Sequence, residues 1–372
     1  MGVIALCFSL AEVSRIIAEC GRASQRVRDL PAPLVAYYVI GLSLFPSAGY
    51  QAVLGWLLCG LNWLKGSTLR LSDKAALSRA RTKLTAEPMR QIFLQLARPL
   101  SKKELPGGYW RNLQVVALDG STLALQDTAE NAEAFGHGGN QNGRSAYPLL
   151  RFVALVEVGT RMIFAAAPGA YRQSETALAR ELLQSLRAGM ICLADRLFPS
   201  PALWREARAT GAHLLWRAKT GLKLKRLRDL PDGSWLAQWG ATSASAEALQ
   251  IRVVEYRLKS GSETYRLITT ILDPAEAPAQ ELAELYPQRW EIELSIREGK
   301  NVLRQGQIVL RSKKAELVRQ EFWGLLLAHH IVRKMMAQAA LNDGRDPDEL
   351  SFKSSVEIVR QHQTGPVGAF SP

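Results

Sequence analysis

The stretch "YPQRWEIELSIREGK", residues 286–300, sets three glutamates among two arginines and a lysine. On a helix turning about 100° per residue, Tyr286, Arg289, Glu293 and Lys300 fall on one stripe roughly 60° wide. Glu291 and Glu298 fall on the opposite side. Glu293 is therefore the glutamate with company: a cation one turn before it, another two turns after it, and an aromatic ring. An ordinary i,i+4 ion pair between Arg289 and Glu293 is the other reading of the same spacing.

Two aspartates sit in similar settings earlier in the chain. Asp119 follows the apolar run "VVAL" and precedes Gly120; Asp195 follows "ICLA". A carboxylate at the C-terminal end of a buried strand can project into the crevice where α/β sheets bind ligands. Either aspartate could instead begin a turn or cap the next element. Taken with Glu293, they make a set of hard oxygen ligands suited to Mg²⁺ or Mn²⁺. Two such ions, roughly 3.5–4 Å apart, suit in-line displacement at a phosphodiester. Cations on the Glu293 stripe would then serve phosphates.

The elements that must position these groups can be read from periodicity. The first hundred residues read as helical: "SLAEVSRIIAEC" is amphipathic, and "LPAPLVAYYVIGLSLF" is a buried helix. "SDKAALSRARTKLTAEPMRQIFLQLARPL" suggests two helices, the first capped by Ser72 or Asp73. Arg79, Arg81 and Lys83 suit a DNA-contacting element or a charged face in a bundle. From Leu113 the period changes to short strands, "LQVVALDGSTLAL", "LLRFVALVEV", "RMIFAAAPGAY", "GMICLADRLF" and "HLLWRAK", with helices "SETALARELLQSL" and "SPALWREARATG" between the later ones. Strand pairs first and strand–helix–strand later predict a mixed α/β sheet. Residues 223–273 read as a β-rich insertion, with "RVVEYRLKSG" and "ETYRLITTILD" pairing around "SGS". The last thirty residues have turn and disorder composition.

Composition bounds the function. Lys and Arg number 47 against 34 Asp and Glu, a net charge of +13. That surplus favours a polyanionic partner, nucleic acid ahead of a membrane surface. Four scattered cysteines, Cys7, Cys20, Cys59 and Cys192, form no CxxC pair and point to neither a disulfide framework nor a zinc site. The apolar start lacks a signal-peptide pattern, and "LVAYYVIGLSLFPSAGY" is too short and interrupted to span a bilayer. A soluble cytoplasmic protein is expected. His137 reads as a turn residue, and His329 and His330 as packing in an apolar helix.

In its ordered segments the chain resembles the DDE transposases of bacterial insertion sequences, of the insertion-sequence-four type. Tyr286, Arg289, Glu293 and Lys300 fit the Tyr-x2-Arg-x3-Glu-x6-Lys signature of one branch without a gap. "LDGSTL" looks like the family's first-aspartate segment, "LADRLF" like its second, and "LPAPLVAYYVIGLSLFPSAGYQAVL" like its helical N-terminal domain. The resemblance spans about residues 10 to 340.

It implies a helical N-terminal DNA-binding domain (1–105) and a ribonuclease H-like catalytic domain (106–340) with a β-rich insertion at about 221–282. A shortened tail (341–372) follows. Asp119, Asp195 and Glu293 are implied as the triad binding Mg²⁺, with Mn²⁺ substituting. Tyr286, Arg289 and Lys300 are implied to hold a DNA end, including the hairpin and flipped base that mark this branch. Trp235 and Trp239 are candidate stacking surfaces for that base, or packing aromatics. Arg217 and Lys219 are candidate phosphate contacts or ordinary surface cations.

The implied partners are double-stranded transposon ends and target DNA, with two protein copies pairing the ends, in a bacterial cytoplasm at the nucleoid. Leu197 stands where these proteins usually carry glycine, so an altered turn beside Asp195 is expected. The chain also stops soon after "LLLAHHIVRKMM", which bears on dimer formation more than on metal binding. Two other functions share the features: a nuclease of the same fold that cuts without joining, and a silent DNA-binding remnant.

Overall fold

The computed structural model describes residues 2–24, 30–65, 72–103, 105–140, 143–240, 248–257 and 264–364, without the side chains of 59–65, 140 and 364. The "SGS" turn, the Cys59 side chain and the last eight residues lie outside the described residues. Helix α1 (Gly2–Cys7) leads into α2 (Leu10–Glu19), which Ser9 caps by accepting the N–H of Glu12. Helix α3 (Ala32–Leu44) is apolar all round and, as such a helix must be, buried on nearly every face. Helix α4 (Tyr50–Lys65) packs on it; α5 (Lys74–Leu84), capped by Asp73, and α6 (Glu87–Leu96) follow.

The sheet begins with β1 (Tyr109–Trp110) and β2 (Leu113–Ala124). After α7 (Ala129–Phe135) come β3 (His137–Asn140), β4 (Gly143–Glu157) and β5 (Met162–Ala170), all antiparallel neighbours. Two crossovers follow: α8 (Glu175–Leu182) into β6 (Met190–Ala194), then α9 (Pro201–Ala209) into β7 (His213–Arg217). Strands β2, β6 and β7 run parallel, with β4 antiparallel on the other side of β2. This is the ribonuclease H-like arrangement that the resemblance implies.

The insertion does not stand apart from that sheet. Its strands β8 (Lys225–Asp229), β9 (Trp235–Trp239), β10 (Leu249–Arg257) and β11 (Thr264–Thr269) extend it, because β11 pairs with β7 antiparallel. The described strands thus follow the order β3-β4-β2-β6-β7-β11-β10-β9-β8. Pairing of β10 with β11 matches the hairpin read from the sequence, from Arg252↔Thr269 to Arg257↔Thr264.

Two helices lead to the glutamate stretch and away from it. Helix α10 (Ala279–Leu285) passes into a 3-10 turn (Tyr286–Arg289), α11 (Trp290–Arg297) and a π-helical segment (Glu298–Leu303). Helix α12 (Ala315–Asp343) is buried along most of its length, and α13 (Phe352–Thr364) packs against it and α4. Helix α12 approaches α3 closely at Gly324, where a Cβ would stand 2.9 Å from the Val39 carbonyl oxygen.

The tail departs from its expected composition: Phe352, Val356 and Val359 are core residues on one face of α13. One sheet face carries a core shared with the N-terminal helices and α12. The other carries α8, α9 and the aromatic cluster of Trp204, Trp216, Trp235 and Trp239. No helix among the described residues is long and apolar enough to cross a membrane.

Candidate active site

The two aspartates meet through strand register. Leu118 of β2 pairs with Ala194 of β6 in parallel, so Asp119 and Asp195 leave adjacent strands at the same height. The expectation that Asp119 ends its strand is corrected: β2 continues for five residues beyond it, pairing with β4 as far as Ala124↔Leu149. Asp195 does follow the last residue of β6. Asp119 Oδ1 accepts the N–H of Gly120 at 2.7 Å, and Asp195 Oδ1 accepts the N–H of Leu197 at 2.8 Å. Leu197 takes part in this turn without a left-handed backbone and with its side chain exposed, so the turn forms without glycine.

The glutamate stretch lies across those strand ends. Arg289 donates to Asp119 Oδ2 at 3.2 Å and to Glu293 Oε1 at 2.8 Å, bringing the two carboxylates to one guanidinium. Tyr286 donates its hydroxyl to the Ala194 carbonyl at 3.3 Å, one residue before Asp195. Lys300 Nζ donates to Ser121 Oγ at 3.1 Å, two residues past Asp119 on the same strand face. All four signature residues therefore face the β2–β6 edge.

The other glutamates point elsewhere. Glu291 pairs with Arg161 in the β4–β5 turn. Glu298 is buried, taking Arg333 on both oxygens and His329 at 3.3 Å. Burial alone would raise Glu298, but His329 and Arg333 hold it below the usual carboxylate range. Asp348, on a 3-10 turn after α12, pairs with Arg161 at 2.9 Å and closes this network.

Burial pushes the Asp119 carboxyl up to about 6 against the pull of the Gly120 N–H and Arg289, with Asp195 and Glu293 adding repulsion. Burial also lowers Lys300, and Arg304 lowers it further. A fourth carboxylate, absent from the sequence reading, stands nearby: Glu175 in the first turn of α8 lies against Gly120, where a Cβ would sit 2.6 Å from its Cδ. Burial raises Glu175, and the Asp195 charge raises it further. The only sequence signal for Glu175 is its place after the Ser174 cap, an ordinary position for a structural glutamate in a first turn.

The donor set suits a hard divalent cation, and the lifted Asp119 lacks enough compensating charge. As placed, however, no group of three or more such side chains among the described residues is arranged around one metal position. Arg289 occupies the space between Asp119 and Glu293 instead.

The remaining sequence candidates divide. Arg217 ends β7 stacked 4.1 Å over the Tyr265 ring, and its charge, like that of Asp195, acts on Tyr286. Lys219 is exposed just beyond it. Trp235 and Trp239 are buried, Trp239 edge-on to Trp204 at 5.8 Å, and so pack rather than present a face. Trp290 is the exposed aromatic here, 58% accessible with Arg289 5.1 Å from its ring, and the sequence reading passed over it. Arg79 and Lys83 are exposed, but Arg81 is buried and structural. His137 opens β3 with Nδ1 against the Ser145 carbonyl at 2.9 Å; His329 and His330 are buried in α12.

The chain is similar to known proteins over most of its length. Residues 110–331 match the family model described as the transposase DDE domain, and residues 1–94 match that of the insertion element 4 transposase N-terminal region. The chain is 29% identical over 360 residues to the transposase InsG for insertion sequence element IS4 of Escherichia coli, covering 93% of this chain and 79% of that protein. It is 32% identical over 149 residues to the putative transposase InsZ of Escherichia coli, covering 40% of this chain and 50% of that one. A cryo-EM structure of the piggyBac transposase synaptic complex with hairpin DNA aligns with a TM-score of 0.48 and 13% identity, over 97% of this chain and 79% of that one.

Proposed function

The chain belongs to the DDE transposases of insertion elements, enzymes of DNA cleavage and strand transfer, and from that premise we propose that Asp119, Asp195 and Glu293 are its catalytic, metal-binding triad. One observation carries the assignment: a single guanidinium reaches both Asp119 and Glu293 beside Asp195, while Glu291 and Glu298 are engaged elsewhere. The three carboxylates would hold Mg²⁺, with Mn²⁺ as a substitute. Bound there, such ions supply charge that stabilises the attacking and leaving oxygens of an in-line phosphodiester displacement.

The chain's own cations then act on DNA. Arg289, once displaced from the carboxylates, and Lys300 face the phosphates on either side of the scissile bond, with Tyr286 holding the β6 end in place. Arg217 and Lys219 extend the basic edge at the end of β7. In the first step a water oxygen attacks the phosphorus at the element's end. The P–O3′ bond breaks, and the freed 3′ oxygen takes a proton. In the second step that 3′-OH attacks a target phosphorus and gives up its proton to solvent as the new P–O3′ bond forms. The target's own P–O3′ bond breaks, and its 3′ oxygen leaves and takes a proton.

Domain roles follow. Residues 1–105 would bind the inverted-repeat ends together with the insertion at 221–282, residues 106–340 would carry the chemistry, and a dimer would pair two ends. The tail, 341–372, contributes α13 to the packing of the N-terminal helices.

The test uses DNA that flanks the gene as labelled substrate, with wild type and Glu293→Gln, in Mg²⁺ and then Mn²⁺. Metal-dependent nicking at the repeat boundary, lost in the variant, is expected. A product joining the 3′ end to target DNA separates a transposase from a nuclease that only cuts. Binding without nicking in either metal would make this copy a silent one.

A further inference from the structure

A second basic site lies outside the catalytic centre. Between α3, α5 and the N-terminus of α12 is a cavity of about 250 Å³, lined by Lys74, Arg81, Arg311, Lys313 and Lys314 with Tyr38 among them. Five cations line it and no carboxylate does. Glu321, whose charge acts on Arg81, spends both oxygens on the backbone N–H groups of Arg311 and Ser312, at 2.8 and 2.9 Å.

Three buried groups there lack what burial demands. Arg81 is 5% exposed, yet its hydrogen bonds run only to neutral acceptors: Gln320 Oε1, Ser312 Oγ and the Leu317 carbonyl. A buried guanidinium with no hydrogen-bonded anion is costly, and the charge of Glu321 offsets its burial only in part. Tyr38, 1% exposed, has a hydroxyl with no hydrogen-bond partner. Arg311 stacks on Tyr50 at 4.4 Å and donates to the Ala48 carbonyl, leaving its buried Nη1 also without a partner. Unmet donors that converge on one polar cavity mark a missing acceptor, and the surrounding charge makes that acceptor an anion.

The cavity is tied to the catalytic strand. Val309 bridges Ala124 at the end of β2, and Leu310 donates to the Ala124 carbonyl at 2.9 Å. Ala124 lies five residues past Asp119, about 17 Å along an extended strand. Asp119 and Ser121 face the side of the sheet that carries α12 and the N-terminal helices, as the cavity does. At 3.4 Å of duplex axis per base pair, about 17 Å is about five base pairs.

We propose that this cavity is a phosphate site for DNA: it seats a backbone phosphate of the same duplex whose scissile phosphate lies at Asp119, several base pairs away. The inference rests on the proposed triad as the place of the scissile phosphate. It assigns the junction of the N-terminal helices with α12 to holding register on the DNA, a role that sequence-independent contacts fill.

The test compares wild type with Lys74→Gln/Lys313→Gln, with Tyr38→Phe, and with Lys353→Gln, an exposed lysine on α13, as a charge control. Affinity for the labelled end duplex is measured across salt concentrations, and melting temperature is measured for each protein without DNA. The double variant should lose about tenfold in affinity at moderate salt, with a salt slope lower by about one. Tyr38→Phe should bind more weakly while melting no lower than wild type, because its hydroxyl has no partner to lose in the free protein. Neutral methylphosphonates stepped one nucleotide at a time away from the scissile position should include one that abolishes the difference between wild type and the double variant; no such position would overturn the proposal.

Wild-type DNA binding that both variants retain with unchanged slope would overturn the proposal and leave the triad standing. Failure of wild type to bind the duplex at all would overturn both. Inorganic phosphate that raises the melting temperature of wild type but not of Tyr38→Phe, with DNA binding equal in the two, would assign the cavity to a free anion and overturn its role on DNA.

Discussion

Arg289 donates to Asp119 across 3.2 Å while its other terminal nitrogen holds Glu293 at 2.8 Å, so one side chain supplies the cation that the two carboxylates need in the absence of metal. The same guanidinium and a divalent ion cannot neutralise those oxygens in full at once. Arg289→Gln should therefore tighten Mn²⁺ binding by about tenfold, the equivalent of about 1.4 kcal/mol, and weaken DNA-end binding. Titration calorimetry with Mn²⁺, in the absence of DNA, reads the first effect. Weaker Mn²⁺ binding would instead make Arg289 the group that orients the two carboxylates for metal.

Asp119 makes stability depend on pH in an uncommon direction. Burial lifts it to about 6 from 3.8, so between those values the native state keeps a proton that the unfolded chain has lost. The stability from this group is thus full below pH 3.8 and falls as pH rises through about 6. Asp119→Asn should remove that fall and raise metal-free stability above pH 6 by on the order of 1–3 kcal/mol. Asp348, lifted by burial to about 6 as well, keeps its slope in the variant and serves as the internal reference. Urea unfolding at steps from pH 4 to 8 checks the difference between the two proteins; parallel curves would mean that Asp119 ionises freely.

Glu298 and Glu291 are structural, and unequally so. Glu298 is buried against Arg333 and His329 at the start of the π-helical segment that carries Lys300 to Ser121. Glu298→Ala strands the buried Arg333 guanidinium and takes a hydrogen-bond partner from His329, whose ring burial holds toward the neutral form. It should cost about 3–5 kcal/mol. Glu291→Ala breaks a partly exposed pair with Arg161 and should cost about 1 kcal/mol. Equilibrium unfolding ranks them, and neither alanine variant should abolish Mn²⁺ binding as Glu293→Gln is expected to.

The turn beside Asp195 should tolerate its leucine. Leu197 supplies only a backbone N–H to Asp195, a bond that glycine would keep. Leu197→Gly should lower stability by about 0.5–1 kcal/mol through the greater freedom of the unfolded chain, and nicking should not rise. A gain in metal-dependent nicking would show that the leucine does hinder the site.

Much of the site was legible because it rests on local periodicity. The spacing of Tyr286, Arg289, Glu293 and Lys300 put them on one side, and they do face one edge, although the backbone passes from 3-10 to α to π along the way. Those changes of pitch depend on tertiary contacts such as Glu298 with Arg333, which no local pattern encodes. Asp119 read as a strand end because polar "DGST" follows an apolar run; β2 continues since its partner β4, thirty residues on, supplies the ladder. The join of β11 to β7 and the burial of Arg81 are equally non-local. The amphipathic face of α13 was hidden by the glycine and proline that follow it.

Of the two readings that the sequence left open for Trp235 and Trp239 the structure shows packing, and the exposed aromatic near the site, Trp290, yields the last prediction. Trp235 and Trp239 face the core beneath α9, whereas Trp290 stands exposed beside Arg289, at the first residue of α11. An exposed indole next to cations that serve phosphates can stack a base drawn out of the duplex. Trp290→Ala should weaken binding of an end carrying an unpaired base near the cleavage point by about 1–3 kcal/mol, and weaken a fully paired end much less. Trp239→Ala should instead unfold the insertion's packing, lowering stability by about 3–5 kcal/mol. Fluorescence of 2-aminopurine at that base reports the stack directly: quenching by wild type that persists in Trp290→Ala would move the stacking face elsewhere.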